Sequence, residues 1–456
     1  MDSITTSFKI LMFPWLAHGH IFPYLELSKR ILKIKNFHIY FCSTAINLPS
    51  IKNFIDENML ENSIELVEIH LKPSQELPPH YHTTKNLPSH LNFTLLKAFQ
   101  TADSSFSNII SNLKPDLLVY DIYQPWSAKQ ALSQGIPAVH FAPFGAATFS
   151  VVYYQYKSKD PSFPFLPLCL PDQDMETMDR LIKFLSAHVF YDDKDSFFMN
   201  HKLSSDIILL KTSKGFEGKY IEYYSNVSHK KIVPVGPLVK QEDTNEEGDF
   251  EVLKWLSMKD QLSTVYISFG SEYFLNKEEI EAIAKGLEIS EVNFIWVIRF
   301  PIGEKITLKE ALPQGFLERV KERGIVVETW VPQAKILAHP NTAAFVSHCG
   351  WSSVNESIYY GVPIIAMPFK LNMLIDARLV DFDGVGVEVK RDENKLYTGE
   401  ELAKTIKKVV FDDSGHELRR KVRQVSDEMK RAEEEELDDA AEQLWQLCLK
   451  KKERVC

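Results

Sequence analysis

Little in this chain of 456 residues points to a polymer, a bilayer or an oxidising compartment. It lacks a basic excess, since 52 Lys and Arg face 62 Asp and Glu for a formal net charge of −10. Proteins that track nucleic-acid phosphates need a basic face, so the balance argues against nucleic acid as a partner. A small anionic ligand is not excluded, because it responds to local donors rather than to the global sum. The chain also lacks an apolar run of membrane length. FKILMFPWL (8–16) is broken by Lys9, is too short to span a bilayer and has no small-residue cleavage site. Cysteine is sparse: Cys42, Cys169, Cys349, Cys448 and Cys456 are odd in number, scattered and without metal-ligand spacing. Reduced thiols in the cytosol fit that pattern, and the sequons at Asn92 and Asn226 are then chance matches. No internal repeat or low-complexity tract is evident.

What remains is the composition of a globular protein, 45% hydrophobic and 25% charged. The length exceeds one ordinary core, so two domains are expected. FKILMF, FHIYFCS, SIELVEI, DLLVYD and AVHF read as strands alternating with helical or loop segments. Pro23 is read as opening a helix with Tyr24, Leu27, Ile31 and Ile34 on one face. KQEDTNEEGDF (240–250) is acidic, polar and almost without apolar residues, as a linker should be. Strand–helix alternation restarts with STVYISF and continues through NFIWVI, IVVET, AAFVSH and PIIAMP. Asn276 and Glu279 have the spacing of a capping box, and Ile280, Ile283 and Leu287 give that helix a buried face. The reading is an α/β protein of two doubly wound parallel-sheet domains, with ligand in a cleft at the strand carboxyl ends. The boundaries are 1–239, a linker at 240–250, 251–435, and a C-terminal helix over 436–456 packing back on the first domain. In that helix acids come early and bases late, as suits a helix dipole, and the charge run reads as a solvated face.

AAFVSHCGWSSVNES reads as strand, turn and helix. Gly350 permits close backbone approach, Ser352 and Ser353 fall in the first helical turn, and His348 adds a donor, so the turn suits an anion. Gly270 and Ser271 form a comparable turn after STVYISF. The competing reading is a tight strand–helix connection and nothing more. Glu356, one helical turn after Ser353, tips the balance, because it shares that face and can accept two ribose hydroxyls. Trp330, at the end of IVVET, is either core or a platform for a planar base, with Gln333 meeting the base edge. Together these residues describe a nucleotide site from base to phosphate.

WVPQAKILAHP (330–340), FVSHCGWSSVNES (345–357) and GVPIIAMPF (361–369) resemble the signature box of plant UDP-sugar-dependent glycosyltransferases of family 1. PWLAHGHIFPYLEL (14–27) and PVGPL (234–238) extend the likeness over most of the chain. The resemblance implies two facing Rossmann-like domains, the GT-B fold, with nucleotide on the C-terminal one and acceptor on the N-terminal one. It assigns Trp330, Val331 and Gln333 to uracil and Glu356 to ribose. His348, Ser353 and Ser271, with donors near Gly350 and Trp351, go to the diphosphate. Ser352 stands where most members have asparagine, which shortens the reach of a hydrogen-bonding group.

Such a transfer needs a base for the acceptor hydroxyl. An imidazole suits that work near neutral pH, which makes His20, in AHGHIFP, the candidate, and a carboxylate on its other nitrogen would fix its tautomer. Asp121, ending DLLVYD, can supply one. His18 is the alternative base, and helix capping the bland role for His20. The resemblance assigns His20 and Asp121 as the catalytic pair, in a single inverting displacement. Asp172-Gln173-Asp174 resembles the short acidic motif of metal-dependent sugar transferases, but it lies in a Pro-rich loop of the other domain with no nucleotide motif nearby and reads as a solvated loop, so no metal and no cofactor are expected.

In the family the box closes on aspartate and glutamine, which hold the donor sugar. Here Asn372 and Met373 stand in those places. Asparagine loses a charge-assisted bond and methionine offers only a thioether. A donor with fewer hydroxyls at that loop (UDP-xylose, UDP-apiose or UDP-rhamnose) is one reading, compensated use of UDP-glucose another. A non-catalytic UDP-sugar binder and a UDP-sugar epimerase are the rivals of another class. FHIYFCSTAINL and LPPHYHTTKNLPSHL resemble the subgroup that extends sugar chains on plant glycosides, which implies a flavonoid or terpenoid glycoside as acceptor. The enzyme is expected to be a cytosolic monomer.

Overall fold

The computed structural model describes residues 7–171, 174–176, 178–180, 183, 198–240, 251–270, 273–300 and 306–455. Backbone contacts divide the chain into two compact units. Met1–Ser150, Pro171–Leu238 and Ala432–Cys456 form the first, and Val151–Leu170 with Val239–Arg431 form the second. Most of the proposed linker, 241–250, lies outside the described residues, as do Asp172 and Gln173.

The first unit is built on seven parallel strands: β1 (Phe8–Phe13), β2 (Phe37–Ser43), β3 (Ile64–Glu68), β4 (Leu117–Tyr120), β5 (Ala138–Ala142), β6 (Ile207–Leu210) and β7 (Lys231–Pro234). Their order is β3-β2-β1-β4-β5-β6-β7. Each strand alternates between two cores, as a pleated strand covered on both faces must. Ile10 and Met12 pack with Leu117 and Val119 on one face, and Leu11 and Phe13 pack with Leu118 and Tyr120 on the other. The strand order reverses between β1 and β4, so the loops leaving these two strands diverge and open a crevice at their carboxyl ends.

The helix beyond β1 spans His18–Ile31, so it begins five residues before Pro23, which lies inside it. His20 is therefore a first-turn residue rather than the end of a loop. The proline removes one hydrogen bond to the carbonyl of Gly19.

The C-terminal helix is a single element, Asp413–Val455. The acids expected at its start lie in its middle, where the end charges of a helix have no hold on them. Nor is the run simply solvated. Glu434, Glu435 and Asp438 are exposed, but Glu433 and Glu436 are buried. Glu433 pairs with Arg30 at 2.6 Å, and Glu436 Oε1 accepts from Lys214 N at 2.6 Å and Ser213 Oγ at 3.1 Å. Leu437, Ala440, Ala441, Leu444 and Cys448 recur at helical spacing and join the Ile10 core of the first unit.

The second unit repeats the plan with six parallel strands: β8 (Thr264–Ser268), β9 (Asn293–Val297), β10 (Gly324–Val327), β11 (Thr342–Ser347), β12 (Ile364–Ala366) and β13 (Gly386–Glu388), ordered β10-β9-β8-β11-β12-β13. The reversal here falls between β8 and β11. The capping box is present, with Asn276 Oδ1 accepting from Glu279 N at 2.9 Å and Glu279 Oε2 from Asn276 N at 2.8 Å. Val151–Leu170 belongs to this unit through Arg378, whose Nη1 donates to the carbonyls of Cys169 at 2.8 Å and Pro167 at 3.2 Å. Among the described residues no helix is long and apolar enough to cross a membrane, and Cys42, Cys169, Cys349 and Cys448 are free thiols.

Candidate active site

In the first unit the switch point holds a histidine on a carboxylate. His20 Nδ1 lies 2.7 Å from Asp121 Oδ2, with the histidine side chain 12% exposed and the carboxylate fully buried. Asp121 directly follows β4, and His20 lies in the first turn of the helix that follows β1. Two backbone donors hold the carboxylate in place: Trp15 N reaches Oδ2 at 3.1 Å and Ile122 N reaches Oδ1 at 2.7 Å. The carboxylate therefore accepts from three groups, and the His20 proton belongs on Nδ1, leaving Nε2 as the basic nitrogen. Phe144 and Tyr123 wall the ring, with centroids 5.4 Å and 5.8 Å away. His18 lies two residues earlier, its ring edge-on to Phe22 at 5.3 Å.

In the second unit the switch point holds a glycine-lined turn. His348 follows β11 and is 8% exposed. A Cβ added at Gly270 or at Gly350 would stand 2.7 Å from its Nε2, so the ring fits only because both neighbours are glycine. Gly270 also has φ +78, and Cys349, between His348 and Gly350, takes φ +62, a costly angle for a residue with a side chain. Burial, with Lys370 adding to it, draws the His348 pKa down to about 4. The ring is neutral at physiological pH and acts as a hydrogen-bonding group, not as a cation. The helix Trp351–Tyr359 starts at Gly350 as cap, which puts Ser352 and Ser353 in its first turn, where a helix presents N–H groups to an anion. Ser271 lies outside the described residues.

Glu356 is half-buried on the same helix and receives Gln333 Nε2 at 2.7 Å. Gln333 Oε1 accepts from the Tyr266 hydroxyl at 3.3 Å. Both ends of this amide are engaged, so Gln333 orients the Glu356 carboxylate, whereas the sequence reading sends it to a base edge. Trp330 is 60% exposed. That is no core residue, although Val331 beside it is buried.

Asn372 and Met373 fall in the first turn of the helix Leu371–Phe382, and the Met373 side chain is half-buried. Among the described residues no three His, Cys, Asp or Glu side chains gather into a metal-holding group. Sequence reasoning missed Tyr266, the Trp15 N–H and Phe144. Each acts across strands, and only the composition of β8 gave any signal for Tyr266.

Two doubly wound sheets, one with a carboxylate-held histidine and the other with an anion turn, an oriented carboxylate and an exposed tryptophan, define a nucleotide-sugar transferase. Comparison with known proteins identifies which kind. The family described as "UDP-glucoronosyl and UDP-glucosyl transferase" matches residues 249–430. A Gardenia jasminoides protein, beta-D-glucosyl crocetin beta-1,6-glucosyltransferase, is 46% identical over 96% of this chain and 98% of its own length. A Citrus maxima flavanone 7-O-glucoside 2''-O-beta-L-rhamnosyltransferase is 43% identical over 97% of this chain and 98% of its own. The crystal structure of Glycyrrhiza uralensis UGT73P12 complexed with glycyrrhetinic acid 3-O-monoglucuronide superposes with a TM-score of 0.80 at 26% identity, covering 98% of each chain. The chain belongs to the plant UDP-glycosyltransferases. It is a transferase that uses a UDP-sugar and a small-molecule acceptor.

Proposed function

We propose that His20 is the general base and Asp121 its partner in an inverting transfer from a UDP-sugar to a sugar hydroxyl of a plant glycoside. The observation that carries this is the 2.7 Å contact between His20 Nδ1 and Asp121 Oδ2. With Nδ1–H committed there, Nε2 takes the proton of the acceptor hydroxyl. The oxygen attacks the anomeric carbon as the bond from that carbon to the β-phosphate oxygen breaks, and UDP leaves with the electron pair. Asp121 stabilises the imidazolium so formed. His348, the turn at Gly270 and the first turn at Ser352 and Ser353 receive the charge that develops on the diphosphate. Trp330 stacks on uracil, and Glu356, aimed by Gln333, takes the ribose hydroxyls.

The glycoside acceptor is supported by the relatives named after glucosylated substrates. Asn372 and Met373 support a donor other than glucose, of the xylose, apiose or rhamnose kind, and one relative is a rhamnosyltransferase. Transfer needs no metal ion, and the enzyme works as a cytosolic monomer. The test is UDP release from UDP-glucose, UDP-xylose and UDP-rhamnose, each with and without a flavonoid glucoside, with and without chelator. Acceptor-dependent, chelator-insensitive release is expected. Isomerised donor with no acceptor dependence overturns the transfer.

A further inference from the structure

Arg299 lies two residues past β9, on the nucleotide side of the second sheet. Ile295 and Val297 pack with Tyr266 and Val331, whereas Phe294, Trp296 and Ile298 pack into the opposite core. Strand alternation carries Arg299 onto the Tyr266 face, and the bond from Ile298 N to Val327 O at 2.9 Å continues the ladder to that point. The residue is half-buried, its Nε is buried with no hydrogen-bond partner, and it has no ion-pair partner among the described residues. A guanidinium is always charged, and leaving one partly desolvated with nothing opposite is costly unless a ligand completes it.

Its neighbourhood is the candidate nucleotide site. The Tyr266 hydroxyl, bonded to Gln333, has its ionisation raised chiefly by burial. Ser268 opposes that, Glu356 adds to it and Arg299 opposes it, so carboxylate and guanidinium both act on one hydroxyl. Strand order indicates which part of a ligand meets the charge. Along the carboxyl edge β10, β9, β8 and β11 carry Trp330, Arg299, Gly270 and His348 in that order. A nucleoside diphosphate stacked on Trp330 and ending in the Gly270–His348 turn lays its base over β10 and its terminal phosphate over β8 and β11. The α-phosphate, the charged group between them, falls over β9.

We propose that Arg299 binds the α-phosphate of the UDP-sugar and makes this site select nucleotides over nucleosides. The proposal rests on the reading of this edge as the UDP site. Charge-assisted guanidinium–phosphate bonds are directional and strong, and a lysine there would keep the charge without the planar fork.

Isothermal titration of the full chain with UDP, UMP and uridine tests it on wild type, Arg299→Gln, Arg299→Lys and Trp330→Ala. Arg299→Gln is expected to weaken UDP and UMP by about tenfold or more, with uridine changed less than about twofold. Arg299→Lys should lose less for the two phosphates and nothing for uridine, which keeps the test open even if the glutamine variant folds poorly. Equal losses for all three ligands in both variants, or UDP binding as tight as wild type, overturn the proposal. If Trp330→Ala binds UDP as wild type does, the site reading itself is wrong. A loss in Trp330→Ala but none in Arg299→Gln overturns the arginine's role alone.

Discussion

Gln333 and Glu356 are joined through their side chains, Nε2 to Oε2 at 2.7 Å, across 23 residues of sequence. The amide is anchored at its other end by Tyr266, so it works as a strut for the carboxylate. Gln333→Ala should weaken UDP binding about tenfold, since a bond to a charged group contributes about 1.5–3 kcal/mol. Gln333→Glu should do worse, because two carboxylates then meet. Titration with UDP and with 2'-deoxy-UDP separates the roles: if Gln333 acts through the ribose carboxylate, the alanine variant loses little further affinity for the deoxy nucleotide. An undiminished further loss would return Gln333 to the base edge.

The two glycines against His348 predict a non-additive pair. Gly350→Ala puts a Cβ 2.7 Å from the imidazole at an ordinary φ of −59, so the only penalty is the clash. It should lower UDP affinity alone but cost nothing further in a His348→Ala background. Gly270→Ala meets the same ring and also carries φ +78. Left-handed backbone costs a residue with a side chain about 1–2 kcal/mol, so its destabilisation should persist when the ring is gone. Melting temperatures and UDP titrations of the singles and doubles check both statements.

Glu436 makes stability depend on pH. Burial, helped by nearby Glu433, raises its pKa from 4.5 to about 7, against the opposing bonds from Lys214 and Ser213. Because the folded pKa lies above the unfolded one, the folded chain holds the extra proton between the two values. The stabilisation is then complete below about pH 4.5 and lost as pH rises through about 7. Glu436→Gln keeps the acceptor oxygen and removes the charge. It should melt higher than wild type at pH 8 and match it near pH 5, and equal melting curves at both pH values would contradict the account.

The donor loop predicts a change of preference. Asn372→Asp with Met373→Gln restores a charge-assisted acceptor and an amide, and should raise kcat/KM for UDP-glucose about tenfold relative to UDP-xylose and UDP-rhamnose. Unchanged ratios across the donor panel would show that other residues read the sugar.

Local chemistry was legible before the fold was known. The alternation of FKILMF and STVYISF, the capping box of Asn276 and Glu279 and the turn at Gly350 each depend on neighbours within a few residues. What stayed hidden depends on distant partners. Glu433 and Glu436 look like any solvated acids until Arg30, Ser213 and Lys214 are folded against them. Val151–Leu170 falls within the expected first domain, 1–239, until Arg378 takes its carbonyls. Gln333 is a similar case, since nothing in WVPQ announces that Tyr266 and Glu356 close on both ends of its amide. Trp330 was the opposite case: core and platform were both open from the sequence, and its exposure removes the core reading.

The pairing of His20 with Asp121 is tested most directly by turnover of His20→Ala under saturating donor and acceptor, with UDP affinity measured alongside. Removal of a general base lowers the rate about 10²–10⁴-fold. The account predicts a fall in kcat of that size with UDP affinity within twofold of wild type. A His20→Ala enzyme that turns over as fast as wild type would contradict it.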